Sequence, residues 1–549
     1  MATHTVTAPL RSLALLLGIG LTALPLGLQA QGRISAAGTL VDAPLPALGD
    51  SNSQSLSPAA ERRLGDRIMR SILRDPDVID DPLAREYVQA LWSALLSSAR
   101  QRGDLSEDLD TVYAWSPFLI RDRSVNAFAL PGGYIGVHLG LLSMTRSPDE
   151  LASVLAHELS HVTQRHIARM MSQAKQTSWV SIASMVLGAL AMSRNPEGAQ
   201  ALIVGGQGLA AQGQLNFSRD MEREADRVGF GVMGEAGFAP AGMMQMFEQL
   251  QMASRLNDDN NYPYLRTHPL TTERIGEARA RMGGSGLQIQ AIDPASRSEA
   301  LQALSLRHAL MAARSRVLMD TRSASLQPWI KPPSLPPGAS PTAILAQHYT
   351  RLVAATQLKD RAHADDALSQ ARATLAPLKD GPAREARRML ALAELEALLA
   401  TGRVMQAQSL LGDGLLPTAS SLSLDARPEV ILRARIALSL PDARDNRREW
   451  QDAAGRLQTL VSLQPDDATA WSLLSSLWSR LGQPLRAVRA EAEATAAQGD
   501  LQGGIDRIDA ARKRFAQTSS ADLIELTVMD SRARRWRQTQ RDDASEDLK

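Results

Sequence analysis

One five-residue stretch constrains this chain more than any other: His157-Glu158-Leu159-Ser160-His161, an H-E-x-x-H pattern. The surrounding segment has the marks of a buried helix. Ser147 is placed to cap it, Pro148 fits its first turn, and Asp149 and Glu150 put acid where the helix dipole favours it. Leu151, Val154, Leu155, Leu159 and Val162 recur at helical spacing, so the pattern sits in mid-helix. Side chains one turn apart point the same way, and both imidazoles can then reach one metal ion. Glu158 lies beside them, placed to take a proton from water at that ion. On an open surface such a match carries little weight, but a capped, apolar helix gives it meaning.

A third ligand separates the classes of such sites. The three-histidine class needs Gly at position 164 and His at 167, where this chain has Gln164 and Ile167, and His166 is too close. Downstream, Phe217 to Gly229 reads as a second helix with Glu222 and Asp226 one turn apart. Glu222 could complete a His-His-Glu set with water as the fourth ligand, and Asp226 could hold a ligand histidine by its other ring nitrogen. A solvated charged helix is the plainer reading of the same residues.

The rest of the chain sets bounds on this site. Its 549 residues suffice for two or three domains with cores of their own. Sixty basic against 59 acidic residues leave no overall nucleic-acid signature, and the absence of cysteine excludes disulfides and thiolate metal sites. Residues 1–30 read as a cleavable export signal. Arg11 supplies charge, Leu13 to Leu28 is apolar, and Leu28-Gln29-Ala30 ends in a small residue. Such a signal before a cysteine-free chain is compatible with a bacterial periplasm. Residues 31–55 form an aperiodic linker.

Helices are expected over Pro58 to Leu73 and Pro82 to Ser98, then short strands at Thr111 to Trp115 and Asn126 to Leu130. Pro131-Gly132-Gly133 turns the chain into Tyr134, Ile135, Gly136 and Val137, a strand beside the metal helix and a candidate docking edge for an extended peptide. A core hairpin is the alternative. Between the two metal helices, Trp179 to Met192 and Ala199 to Ala211 are unusually apolar. They read either as a buried helical hairpin or as a lid in peripheral contact with a membrane or a nascent membrane protein; the first run is too short to span a bilayer.

With Asn126-Ala127-Phe128-Ala129-Leu130-Pro131-Gly132-Gly133 before the helix and Ser218-Arg219 and Glu222-Arg223-Glu224-Ala225-Asp226 some sixty positions after it, the motif resembles the zinc endopeptidases related to the CAAX prenyl protease and to HtpX. The resemblance implies a gluzincin-type domain over residues 56–290, mainly α with a small β-sheet, binding one zinc ion per chain. His157, His161 and Glu222 would be its ligands and Glu158 its base, with Asp226 supporting the site and Glu224 a poorer alternative ligand. It also implies a loop over the cleft carrying His268, which Pro269 holds out of helical geometry. There the histidine can take the fourth zinc position and keep the enzyme idle.

A helix near Ser296 to Met319 and a proline-rich connection, Gln327 to Gly338, fill residues 291–340. Residues 341–545 are alanine-rich helix pairs. Trp471, Leu474, Trp478, Gly482, Ala487 and Ala494 follow the tetratricopeptide spacing, with Glu491 at a normally apolar position that weakens this unit or marks it as the last. The Arg532, Arg534, Arg535 and Arg537 cluster reads as a solvated face. A helical solenoid presents a protein-binding surface. With the signal and the repeats, the resemblance implies a periplasmic endopeptidase of outer-membrane protein quality control. Its substrates would be β-barrel proteins, and the repeats would meet their assembly machinery. A chaperone or adaptor with secondary proteolysis is the alternative, although a binder has no need of Glu158.

Overall fold

The computed structural model describes residues 56–173, 218–256, 262–284, 294–412, 427–442, 446–515 and 520–546. The export segment 1–30, the linker 31–55 and the apolar insert 179–211 lie outside them. The chain is mainly α with one small sheet, as the sequence leads one to expect. Helices α1 (Pro58–Ile72) and α2 (Pro82–Arg102) flank strand β1 (Val78–Ile79). Both begin with the expected chemistry: Ser57 and Asp81 accept from the amides of Ala60 and Ala84, and proline follows each cap.

The segment expected to be a strand at Thr111 to Trp115 instead ends helix α3 (Glu107–Val112), and strand β2 begins at Ser116 and runs to Ile120. Ser106 precedes α3 and its first turn carries Glu107, Asp108 and Asp110, helix-start signals that override the β-prone Thr-Val-Tyr. Strands β3 (Ala127–Leu130) and β4 (Tyr134–His138) form an antiparallel hairpin around Pro131-Gly132-Gly133, both glycines having positive φ. The sheet order is β1-β2-β4-β3, because β2 pairs parallel to β4 on its other side.

Helix α4 (Leu139–Met144) leads into α5 (Pro148–Thr163), whose residues are almost all buried. Ser147 Oγ accepts from the Glu150 amide at 3.2 Å, the expected cap. After a break at Gln164 and Arg165 comes α6 (His166–Gln173). Helices α7 (Arg219–Glu235), α8 (Ala241–Leu256), the short α9 (Pro263–Thr267) and α10 (Thr272–Gly284) complete the layer around α5. On α7, Gly229 is what permits a close crossing: a Cβ there would lie 3.1 Å from the backbone of Ala156 and His157. That approach brings the acidic turn of α7 level with the two histidines of α5.

Helix α11 (Pro294–Leu318) joins this part to the helix pairs that follow. The proline-rich stretch is less open than its composition suggests, since Pro328 lies inside helix α12 (Ser323–Ile330), whose Leu326 and Ile330 are buried. The pairs are α13 (Pro341–Gln357) with α14 (Arg361–Leu375), α15 (Asp380–Ala400) with α16 (Val404–Gly412), α17 (Arg427–Ser439) with α18 (Arg447–Leu463), α19 (Ala468–Arg480) with α20 (Pro484–Ala497), and α21 (Leu501–Arg514) with α22 (Ser520–Glu546). The unit containing Glu491 is therefore not the last. Its carboxylate faces outward and accepts from Arg507 Nε at 3.1 Å. Of the arginine cluster on α22, Arg532 donates twice to the buried Glu493 and Arg537 to Asp509, so these two tie helices together.

One apolar core runs from Leu83 on α2 through α5 and α11 to Ile436 on α17. Buried ion pairs stitch the same boundary. Arg314 on α11 donates to both carboxylate oxygens of Asp81, the α2 cap, and to both of Glu396 on α15, at 2.7–2.9 Å. At the far end Arg74 donates to the Gly499 carbonyl, and Gly499 approaches Arg70 so closely that a Cβ would fall 2.1 Å from its carbonyl oxygen.

His308 on α11 makes a neutral bridge across this boundary. Its Nε2 lies 2.9 Å from the Thr145 carbonyl, which can only accept, so Nδ1 accepts from the Tyr87 hydroxyl at 2.8 Å. Burial depresses its pKa to about 4, against a partial rise from the Thr145 carbonyl. Between the ordinary value of about 6.5 and 4, the unfolded chain binds a proton that the fold refuses. Stability therefore falls as pH falls through this window, by up to about 1.4 kcal/mol per unit, and levels off below it. His308→Gln, which can donate and accept in the same places, should lose about 2 kcal/mol less than wild type between pH 7 and 5. Chemical unfolding at the two pH values checks this; an equal loss in both proteins contradicts it.

Candidate metal centre

The α5–α7 crossing and the loop after α9 bring four side chains to one point. His157, His161, Glu222 and His268 each direct a nitrogen or oxygen there, all four atoms within 4.8 Å of one another and all four residues buried. His157 Nε2 is 2.9 Å from His161 Nε2 and 3.3 Å from His268 Nδ1. Glu222 Oε1 is 3.4 Å from His161 Nε2 and 2.9 Å from His268 Nδ1, and its Oε2 is 3.5 Å from His157 Nε2. Four ligands at 2.0–2.1 Å from a tetrahedral ion would be about 3.3 Å apart, so the set fits one. The chemistry of the donors agrees. His157 Nδ1 is engaged with the Asp226 carboxylate at 2.9 Å, so its other nitrogen aims a lone pair at that of His161 unless a cation or a proton lies between.

Several of these side chains are held from behind. Asp226 takes the proton of His157 Nδ1 and also accepts two hydrogen bonds from Arg274, Nε to Oδ2 at 2.6 Å and Nη2 to Oδ1 at 2.8 Å. Arg274 Nη1 reaches the Pro269 carbonyl at 2.9 Å and lies 2.7 Å from Glu222 Oε2, an ion-pair contact made off the hydrogen-bond axis. One guanidinium thus steadies Glu222, the support of His157, and the loop that carries His268. Burial opposes ionisation of Asp226, but Arg274 and His157 outweigh it and bring it down to about 2. Burial also opposes charging His157; the Asp226 and Glu222 carboxylates outweigh it and push it up to about 10.

Glu158 faces the same point from α5. It is fully buried, and among the described residues neither carboxylate oxygen has a well-formed hydrogen bond, the Ala129 backbone being only a weak partner. Burial pushes its pKa up; His268, whose Nε2 is 3.5 Å away, and His157 pull it back. A buried carboxyl so sparsely bonded is costly for a fold and suits a proton carrier. His268 follows α9 with φ −124° and ψ 76°, outside helical geometry as Pro269 requires, and its ring stacks on Tyr264. Glu224, the alternative third ligand, points away from the cluster, 3.0 Å from His166 Nε2 and 2.9 Å from Arg169 Nη1.

The expected docking edge is corrected. Tyr134, Ile135, Gly136 and Val137 belong to β4, which is paired on both sides and cannot accept another strand. Tyr134 instead donates to Asp66 at 2.7 Å, and Phe128 covers the bare face of Gly136. The strand between the pair and α5 is β3. His138 donates to the Asn126 carbonyl, and the register places Phe128 opposite Gly136, so the bonded pairs fall at 126 and 128. The N–H and C=O of Ala129 are then turned to the other side, the side of Glu158. Just before this edge the Tyr264 amide contacts the Val125 carbonyl, so the segment leading to His268 meets the strand at its start.

Residues 87–282, which carry this whole cluster, match peptidase family M48. Among relatives, the beta-barrel assembly-enhancing protease of Escherichia coli (strain K12) is 34% identical over 240 residues, 43% of this chain and 47% of that protein. The protein of Vibrio cholerae serotype O1 given the same name is 38% identical over 242 residues, again 43% and 47%. The mitochondrial metalloendopeptidase OMA1 of Arabidopsis thaliana is 33% identical over 161 residues, 29% of this chain and 30% of that one. The chain spans about half the length of the first two relatives.

Sequence reasoning did not single out Arg274, His166 or Gly229. Arg274 had a signal: it lies in the first turn of α10, where the helix dipole disfavours a cation unless buried anions hold it. Arg274→Gln should leave those carboxylates unbalanced, lowering divalent-metal affinity by about 10–100-fold and stability by about 3–5 kcal/mol. Calorimetric titration and thermal unfolding of the full chain test this. Unchanged affinity would show that Asp226 and Glu222 are ordered without it.

Proposed function

We propose that this chain is a zinc-dependent endopeptidase of the bacterial periplasm, acting on outer-membrane β-barrel proteins and kept idle at rest by His268. The observation that carries the reading is the convergence of three imidazole nitrogens and one carboxylate oxygen beside a sparsely bonded buried carboxyl. Nitrogen-rich tetrahedral sets suit zinc rather than magnesium or calcium, which prefer oxygen. Zinc held by His157, His161 and Glu222 would supply Lewis acidity toward water and the peptide carbonyl.

The remaining steps belong to the protein's own groups. An extended substrate segment pairs with the Ala129 edge of β3, which sets its backbone across the cleft. Glu158 takes a proton from the attacking water and passes it to the leaving amine, a role its raised pKa favours. Asp226 and Arg274 keep His157 in the tautomer that presents Nε2. At rest, His268 fills the fourth position and faces Glu158 at 3.5 Å, while its loop meets the start of the β3 edge at Val125. One movement of the 262–270 loop therefore frees the base, the fourth position and the docking edge. The substrate class is supported by the names of the bacterial relatives. Periplasmic location rests on the N-terminal segment. The helix pairs offer a surface for the assembly machinery.

Glu158→Gln should retain zinc and lose cleavage of an unfolded protein by at least about 100-fold. His268→Ala, at matched zinc content and neutral pH, should cleave several-fold faster than wild type. Wild-type activity in the first variant contradicts the base, and slower cleavage in the second makes His268 a substrate or transition-state group instead of a brake.

A further inference from the structure

The geometry points to His166 as a positioning residue for the metal ligand His161, the counterpart on this side of what Asp226 does for His157; the inference rests on the zinc reading above. His166 is fully buried, and its Nδ1 lies 2.8 Å from His161 Nδ1. Its Nε2 lies 3.0 Å from Glu224 Oε2, which also accepts from Arg169 at 2.9 Å. The polarity of this row is fixed from its outer end. A carboxylate only accepts, so His166 carries its proton on Nε2 and presents a lone pair at Nδ1. That lone pair takes the proton of His161 Nδ1, which leaves Nε2 of His161 bare and aimed at the metal point. Glu224 sits two residues from the ligand Glu222, so α7 supplies a ligand and the end of this relay from one turn.

The backbone is bent to make the contact. On a continuous helix, a residue five positions after His161 would point about 140° away from it. Instead α5 ends at Thr163, and Arg165 takes a left-handed conformation, φ +53°, that turns His166 back under His161. A non-glycine residue in that region costs free energy, of order 1 kcal/mol, and persists where the surroundings hold it. Here they do: Arg165 Nε reaches the buried Glu61 of α1 at 3.2 Å, and its Nη2 reaches the Leu56 carbonyl. The strain, the pin and the row of hydrogen bonds all serve the orientation of one imidazole.

The test uses the full chain loaded with zinc, measuring the rate of zinc transfer to a chromogenic chelator and, after cobalt substitution, the visible ligand-field spectrum. His166→Ala should lose zinc about 10–100-fold faster than wild type. His166→Gln, whose amide can accept from His161 and donate to Glu224, should return the rate to within about threefold of wild type. Glu224→Ala, at a partly exposed position that does not endanger the fold, should release zinc several-fold faster and shift the cobalt spectrum. Wild-type transfer rates in both His166→Ala and Glu224→Ala would overturn the relay, as would a His166→Gln rate no slower than that of His166→Ala. If wild type itself binds no zinc, the zinc reading falls and the relay with it; tight wild-type zinc with unaffected variants overturns the relay alone.

Discussion

Three carboxylates, Glu158, Glu222 and Asp226, are buried around one point, and a protein interior holds such a group only if cations or protons balance it. Arg274 supplies one fixed positive charge. The surroundings bias the other groups the same way: Asp226 and Glu222 push His157 up to about 10 against the cost of burial, and burial pushes Glu158 up. A divalent cation at the convergence of His157, His161 and Glu222 would supply that charge instead. Charge balance thus links occupancy of the site to the ionisation of the groups around it.

The fold serves that balance by bringing together segments far apart in the chain. Gly229 lets α7 come against Ala156 and His157, which sets Glu222 and Asp226 opposite the histidines. The first turn of α10 delivers Arg274 from the other side, and the same residue fastens the Pro269 carbonyl, so the loop carrying His268 is tied to the charge it helps to close. Behind the site the core passes from α5 through α11 into the helix pairs, with Arg314 joining Asp81 to Glu396.

Much of this was legible because it is local. The capped helix around His157 and His161, the one-turn spacing of Glu222 and Asp226, and the bent geometry before Pro269 are set within a few residues. What escaped depends on partners distant in sequence. The hairpin of β3 and β4 could be read from Pro131-Gly132-Gly133, but the parallel pairing of β2 with β4, which buries Tyr134 to Val137 and leaves β3 outermost, leaves no local trace. The strand expected at Thr111 gave way to a helix start at Ser106 whose acids compete with β-branched residues over the same few positions. His166 was set aside as too close to be a ligand. Its contact with His161 depends on a left-handed arginine, and that conformation is invisible where no glycine marks it.

The arrangement is tested most directly by the zinc K-edge X-ray absorption spectrum of the full chain loaded with one equivalent of zinc at neutral pH. Four nitrogen or oxygen ligands at about 2.0–2.1 Å, three of them imidazoles by their outer-shell scattering, are expected in wild type, falling to two imidazoles in His268→Ala. Two imidazoles in wild type, with a spectrum unchanged by the substitution, would place His268 outside the metal's coordination and contradict the closed resting site.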